Sequence, residues 1–237
     1  MHTGGGGMSA PSGRADAAAV LIDLDGPITR LFPSPAHIDL ARAVHARVAH
    51  DPGAPPTAGE DHVQVLRRIA SATPHRLAET ERFAARAEMA AARRATPAPG
   101  AVEFIRAAAE AGYGVAVVSN NAAPAVAATL TSVGVADWVA VVAARHPGNI
   151  SRLKPHPDLV DEALHALGVS ADHAILLGDT VSDMRAALAA GVRAIGVTAD
   201  DDRASQLRAG GASMVARDLG EAVGLLDPSP ARVGERP

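Results

Sequence analysis

The chain has 237 residues, enough for one large domain or for a core with a smaller insert. Hydrophobic residues make up 48% and aromatics only 2%, so a sizeable core must be built mostly from Ala, Val, Leu and Ile. A formal net charge of -4 without a basic run argues against a dedicated nucleic-acid surface. The lack of cysteine excludes disulfides, thiolate metal sites and a cysteine nucleophile, and no apolar run reaches membrane-spanning length.

Residues 1–16 carry no secretory signal and read as a flexible tail, with Met8 an alternative start. The apolar run 18–22 has the composition of a strand buried on both faces. Asp23 and Asp25 follow at its C-terminal end and, if the extension continues, project to the same side; Gly26 then permits a sharp turn. Two carboxylates held together at the mouth of a parallel sheet repel, and a divalent metal is the usual remedy. Asp-x-Asp-Gly also occurs in ordinary turns, so this stretch does not decide alone.

Between residues 31 and 96 the pattern turns helical. A proline-stiffened connector, LFPSP, leads to helices expected over 36–50, 60–71 and 75–94, and TPAPG closes the insert. Strand and helix then alternate. Helices are expected over 100–111, 123–133, 157–167, 183–190, 203–208 and 219–226, with strands over 113–118, 138–143, 173–177, 193–197 and 213–216. Residues 228–237 read as a second flexible tail. The alternation predicts an α/β fold, a Rossmann-like parallel sheet with helices on both faces, plus a small all-helical domain inserted after the first strand. The core is expected over 17–30 and 97–227, and the inserted cap domain over 31–96.

In such sheets ligands sit beyond the C-terminal strand ends. Asp23, Asp25, Ser119, Asn120, Asp179 and Asp183 all fall there, and Lys154 lies just before a helix. Four carboxylates around one cleft, with no sulfur and no paired histidines, favour Mg²⁺ over zinc. Asp183 can equally cap the helix that begins beside it, and Ser119 reads as well as a helix cap as an anion ligand. Lys154 is the only lysine in a chain that otherwise uses arginine, and it supplies a mobile point charge suited to a phosphate oxygen or a carboxylate.

The segments IDLDGPIT, VVSNN, LKPHPD and LLGDTVSD, in this order, resemble the four motifs of the haloacid dehalogenase-like hydrolase superfamily. The resemblance covers about residues 17–216, and the insert resembles the helical cap of the phosphoglycolate phosphatase and β-phosphoglucomutase branch. It implies that Asp23 is the nucleophile, forming an aspartyl-phosphate, and that Asp25 is the general acid and base. Ser119 and Asn120 would bind the transferring phosphoryl group, and Lys154 would stabilise nucleophile and phosphate. Mg²⁺ would be held by Asp23, Asp179 and the backbone carbonyl of Asp25, with Asp183 assisting directly or through water. One departure is Pro27, where the family usually has threonine or valine; it removes a backbone N–H from the first loop.

The expected activity is thus Mg²⁺-dependent hydrolysis of a small phosphorylated metabolite. Alternatives are a phosphomutase of the same fold and a non-catalytic binding protein. Dehalogenase relatives lack the second aspartate, and phosphonate-cleaving relatives need a lysine in the cap, where this chain has none. Arg30, His37, Arg42, His45, Arg67, Arg68 and His75 are candidates for substrate selection from the cap, and Arg145 and His146 from the core side. Connectors near 30–35 and 96–100 suggest a cap that opens and closes. Expected partners are the substrate alone, without nucleic acid or membrane; the expected state is monomer or homodimer and the expected location cytoplasmic.

Overall fold

The computed structural model describes residues 19–55 and 61–226. The two tails, residue 17 at the expected start of the core, residue 18 of the first strand and the expected start of the second helix at residue 60 lie outside the described residues. A six-stranded sheet forms the centre. Its strands are β1 (Ala19–Ile22), β2 (Gly114–Ala122), β3 (Val141–Arg145), β4 (Ala174–Gly178), β5 (Arg193–Val197) and β6 (Met214–Ala216). All neighbours pair in parallel, in the order β3-β2-β1-β4-β5-β6.

β1 is central, which is why its run is apolar on both sides. Ala19 to Ile22 are fully buried and pair with Gly114–Val117 on one flank and Ala174–Leu177 on the other. Leu21 packs in one cluster with residues of α6 (Asp158–Leu167), α7 (Val181–Ala189) and α8 (Asp201–Ala209). Val20 and Ile22 pack in another with α4 (Ala101–Glu110), α5 (Ala123–Ser132) and α9 (Leu219–Ala222). Successive side chains of a strand face opposite ways, so one apolar run anchors both helical layers. The order of the strands reverses beside β1, and a crevice opens beyond its C-terminal end.

Between β1 and α4 the chain forms α1 (Ala36–His45), α2 (His62–Ala72) and α3 (Leu77–Ala92). Leu40, Val44, Leu66, Ile69 and Ala84 bury their side chains between these helices, in the same cluster as Leu21. The two connectors of the insert run side by side. Thr29 bridges Pro97, its hydroxyl donates to the Thr96 carbonyl at 2.7 Å, and Ala98 N–H donates to the Ile28 carbonyl at 2.8 Å.

Several boundaries differ from those expected. α1 stops at His45 rather than residue 50, because the approach to Asp51-Pro52-Gly53 tightens into turns (Val48 N–H to His45 carbonyl, Asp51 N–H to Val48 carbonyl) and His45 Nε2 is held by the Pro55 carbonyl at 2.7 Å. β3 starts at Val141, since residues 136–138 form a 3₁₀ turn. β2 runs on to Ala122, with its pairing to β3 slipping between Ser119 and Ala122. α7 starts two residues early, at Val181, with Thr180 as its cap.

Candidate active site

Asp23 leaves β1 with its N–H still bonded to the Leu177 carbonyl at 2.9 Å, so its carboxylate stands at the mouth of the crevice. Asp179 and Asp183 come from the turn after β4 and the first turn of α7. Gly178 and Gly26 let this corner close. A Cβ on Gly178 would lie 2.4 Å from the Asp183 Cβ, and one on Gly26, whose φ is +125°, would lie 2.3 Å from the Asp179 Cγ. Asp183 also completes a capping box with Thr180: Thr180 N–H donates to Asp183 Oδ2 at 3.0 Å, and Asp183 N–H donates back to Thr180 Oγ1 at 3.3 Å. The cap reading of Asp183 therefore holds, and its carboxylate stands in the acidic corner at the same time.

Lys154 is buried among these acids. Its Nζ lies 2.7 Å from Asp23 Oδ1 and 2.6 Å from Asp183 Oδ1, and donates to the Val118 carbonyl at 2.7 Å. Burial works against its charge, but Asp183 and Asp23 outweigh it and hold the ammonium above the usual lysine range. Asp23 is raised well above the usual aspartate range, by burial first, with Asp183 and Asp179 adding to it and Lys154 opposing. Asp179 is pushed up to about 7, by burial and then by Asp183, with Arg203 opposing. Three carboxylates here face one ammonium.

One oxygen each of Asp23, Asp179 and Asp183 falls within 4.8 Å of the others. Asp179 Oδ2 accepts from Arg203 Nη1 at 2.8 Å, while its Oδ1 is buried with no hydrogen-bond partner among the described residues. An orphaned carboxylate oxygen in an all-oxygen acidic cluster fits a hard divalent cation. The Asp25 side chain stands outside this cluster. Its Oδ1 accepts the Leu31 N–H at 2.8 Å, so of the four carboxylates expected around the cleft, Asp23, Asp179 and Asp183 converge on one point by their side chains. Burial raises the Asp25 carboxyl, the Leu31 N–H opposing. The Pro27 nitrogen is not needed: the loop closes through Gly26 N–H to the Thr29 carbonyl at 2.7 Å and Ile28 N–H to the Leu24 carbonyl at 3.2 Å.

A cavity of about 540 Å³ opens between the sheet end and the insert. Asp23, Asp25, Asn120, Lys154 and Asp183 line it from below. Ser119 does not belong to its lining. It is fully buried, and its hydroxyl donates to Asn121 Oδ1 at 3.1 Å, so Asn120 and Asn121 represent this strand end in the cavity. Asn120 clasps the backbone of Lys154 from both sides, donating Nδ2–H to its carbonyl at 3.0 Å and accepting its N–H on Oδ1 at 2.9 Å. Arg67 of α2 donates to the same carbonyl.

Of the residues expected to select substrate, His37, Arg67 and Arg68 line the cavity. His45 is bonded to the Pro55 carbonyl, His75 pairs with Asp51, and Arg30 and Arg42 are exposed outside the lining. The structure corrects two expectations. Arg145 does not reach the cleft; it is fully buried and ion-paired to Glu81 and Glu88. His146 is exposed and accepts the Gly148 N–H at 3.1 Å. Sequence reasoning missed Arg203, the partner of Asp179, and Glu88, whose helical spacing from Glu81 through Ala84 puts both charges on a buried stripe.

Among the described residues no helix is long and apolar enough to cross a membrane. A haloacid dehalogenase-like hydrolase family model matches residues 57–197; the matched range includes Asn120, Lys154, Asp179 and Asp183, which the fold joins to Asp23 and Asp25. The chain is 34% identical over 90 residues to a phosphoglycolate phosphatase of Pectobacterium atrosepticum, a match covering 38% of each chain. It is 31% identical over 142 residues to a phosphoglycolate phosphatase of Rhodospirillum rubrum, covering 59% of this chain and 58% of that one. These matches span less than two thirds of either relative. The fold is shared with CbbY from Rhodobacter sphaeroides, solved in complex with phosphate, at a TM-score of 0.65 and 24% identity over 86% of this chain and 96% of that one. The carboxylate corner, the strand order and a family model matching over half of the sequence converge: this chain belongs to the haloacid dehalogenase-like hydrolase family.

Proposed function

We propose that the chain is a Mg²⁺-dependent phosphatase that hydrolyses a small phosphorylated metabolite through an aspartyl-phosphate on Asp23. The observation that carries this reading is the position of Asp23 Oδ1, 2.7 Å from Lys154 Nζ and beside Asp179 and Asp183, at the floor of the cavity between sheet and insert. Asp23, Asp179 and Asp183 would hold the ion, with the Asp25 backbone carbonyl. Bound there, Mg²⁺ supplies positive charge that screens a carboxylate from an anionic phosphate.

The chain's own groups do the rest. Asp23 attacks phosphorus. Lys154 neutralises charge on the nucleophile and on the phosphoryl oxygens. Asp25, its carboxyl raised by burial, gives a proton to the leaving oxygen; as carboxylate it then takes one from the water that cleaves the aspartyl-phosphate. Asn120 seats Lys154 and, with Ser119 behind it, shapes the phosphoryl-facing strand end. In this reading residues 17–30 and 97–227 form the core domain and 31–96 the cap. The substrate is the only partner, and the enzyme works in the cytoplasm as a monomer or homodimer.

The test is phosphate release from a broad panel of phosphorylated metabolites, with Mg²⁺ and with EDTA, using wild type beside Asp23→Asn. Metal-dependent turnover of one substrate class, lost in Asp23→Asn, supports the reading. No release from any substrate overturns it, and an isomerised phosphorylated product would mark a phosphomutase instead.

A further inference from the structure

A second charged cluster lies outside the carboxylate corner, and the reaction proposed above makes no use of it. Glu88 of α3, fully buried, is its centre. Its Oε1 lies 2.5 Å from His62 Nε2 and accepts from Arg145 Nη2 at 2.6 Å. Its Oε2 accepts from the same Arg145 nitrogen at 2.6 Å and from the Ala122 N–H at 2.7 Å. Arg145, also fully buried, gives Nη1–H to Glu81 Oε1 at 3.1 Å and Nε–H to the Asn120 carbonyl at 3.0 Å. Burial alone would raise the Glu88 carboxyl; the His62 hydrogen bond and the Arg145 charge more than offset it and keep it below the usual glutamate range. Desolvating such groups is costly, and well-packed apolar residues often serve stability equally well. The cluster is therefore weak evidence for stability alone, and what its members hold bears on its role.

The backbone atoms they hold supply that role. The Asn120 carbonyl and the Ala122 N–H fall where β2 slips out of register with β3, a place that leaves main-chain groups without ladder partners. Arg145 takes the first and Glu88 the second. Asn120, fixed in this way, is the residue that clasps Lys154 on both sides. A continuous path of hydrogen bonds therefore leads from the insert, through Glu88 and Arg145, to Asn120 and the seat of Lys154.

We propose that Glu88 is a positioning residue: with Arg145 it sets the geometry of the strand end 119–122 and, through Asn120, the placement of Lys154. The inference rests on the roles given to Asn120 and Lys154 under the function proposed above. Because Glu88 belongs to α3, the phosphoryl-facing side of the site is complete only while the insert is docked on the sheet.

The test compares wild type, Glu88→Gln and Arg145→Lys as full chains by amide hydrogen exchange, thermal melting and affinity for inorganic phosphate in the presence of Mg²⁺. Arg145→Lys keeps the buried charge balanced but cannot reach Glu81, Glu88 and the Asn120 carbonyl together, so it covers the case in which Glu88→Gln fails to fold. Glu81→Gln, which trims one outer contact, covers failure of both. Expected are faster exchange confined to 119–123 and 152–156 and phosphate binding weakened about tenfold, as for loss of a group that orients a site residue. A lower melting temperature with unchanged exchange in these two segments, or unchanged phosphate affinity in a folded variant, overturns the proposal. If wild type itself binds no phosphate, the phosphatase reading fails, and the exchange at 119–123 and 152–156 decides this inference alone.

Discussion

Gly26 and Asp179 share one corner of the site: a Cβ on Gly26 would sit 2.3 Å from the Asp179 Cγ and 2.5 Å from its Oδ2. The glycine after the first two aspartates is thus required by a carboxylate more than 150 residues further along the chain. Gly26→Ala must either strain a φ of +125° or push Asp179 away. The strain alone costs about 1–3 kcal/mol. The expected outcome is a folded protein of lower stability whose melting temperature no longer rises with Mg²⁺, read by thermal melting with and without the ion.

Removing the Lys154 charge leaves Asp23 and Asp183 buried without their cation. Breaking a buried pair from one side costs about 3–5 kcal/mol. Lys154→Met should lose that order of stability in urea unfolding at neutral pH, together with all turnover. Adding Asp183→Asn to Lys154→Met should restore part of the stability and none of the turnover. A fully stable Lys154→Met would contradict the ion-pair geometry.

Asp179→Asn should act in opposite directions with and without metal. The Asp179 carboxyl is raised to about 7, so the folded, metal-free protein holds this proton more tightly than the unfolded chain does. Stability is then lost as pH rises from about 4 toward 7, and above that the ionised group is a burden on the metal-free fold. At pH 8 the neutral asparagine should leave the metal-free melting temperature equal or higher, and should abolish the gain expected for wild type on adding Mg²⁺.

Glu88 has the opposite sign. Its carboxyl lies below the ordinary value of 4.5, so its contribution is present above about pH 4.5 and is lost as pH falls through the lower folded value. The stability advantage of wild type over Glu88→Gln should be constant from pH 8 to pH 5 and shrink below pH 4.5. Denaturant unfolding across that range measures it; an advantage that persists unchanged at pH 3.5 would argue against an ionised, paired Glu88.

Much of the site was legible because its groups stand at ends of elements that announce themselves. An apolar run meeting Asp23 and Asp25, and a strand meeting Gly178-Asp179, need only local pattern to be recognised. Lys154 stood out by being the sole lysine. Glu88 did not, and Arg145 read as reaching the cleft, because their meaning lies in a contact 57 residues apart, and a glutamate on an alanine-rich helix reads as solvated. The hydroxyl of Ser119 turns to Asn121 because a strand's last residues alternate sides, and the slip in β2 decides which side each takes, which local pattern does not show. The length of α1 was overestimated because periodicity carries through Val48, which is buried although the helix has already given way to turns.

Thr29 meets both Thr96 and Pro97, so the chain departs for the helical insert and returns from it at one place. The intervening stretch is a side loop with closed ends. The entropy of closing such a loop grows only slowly with its length. Helices can lengthen or shorten between those two points at small entropic cost while the sheet keeps its threading, provided that Glu88 keeps its place against Arg145.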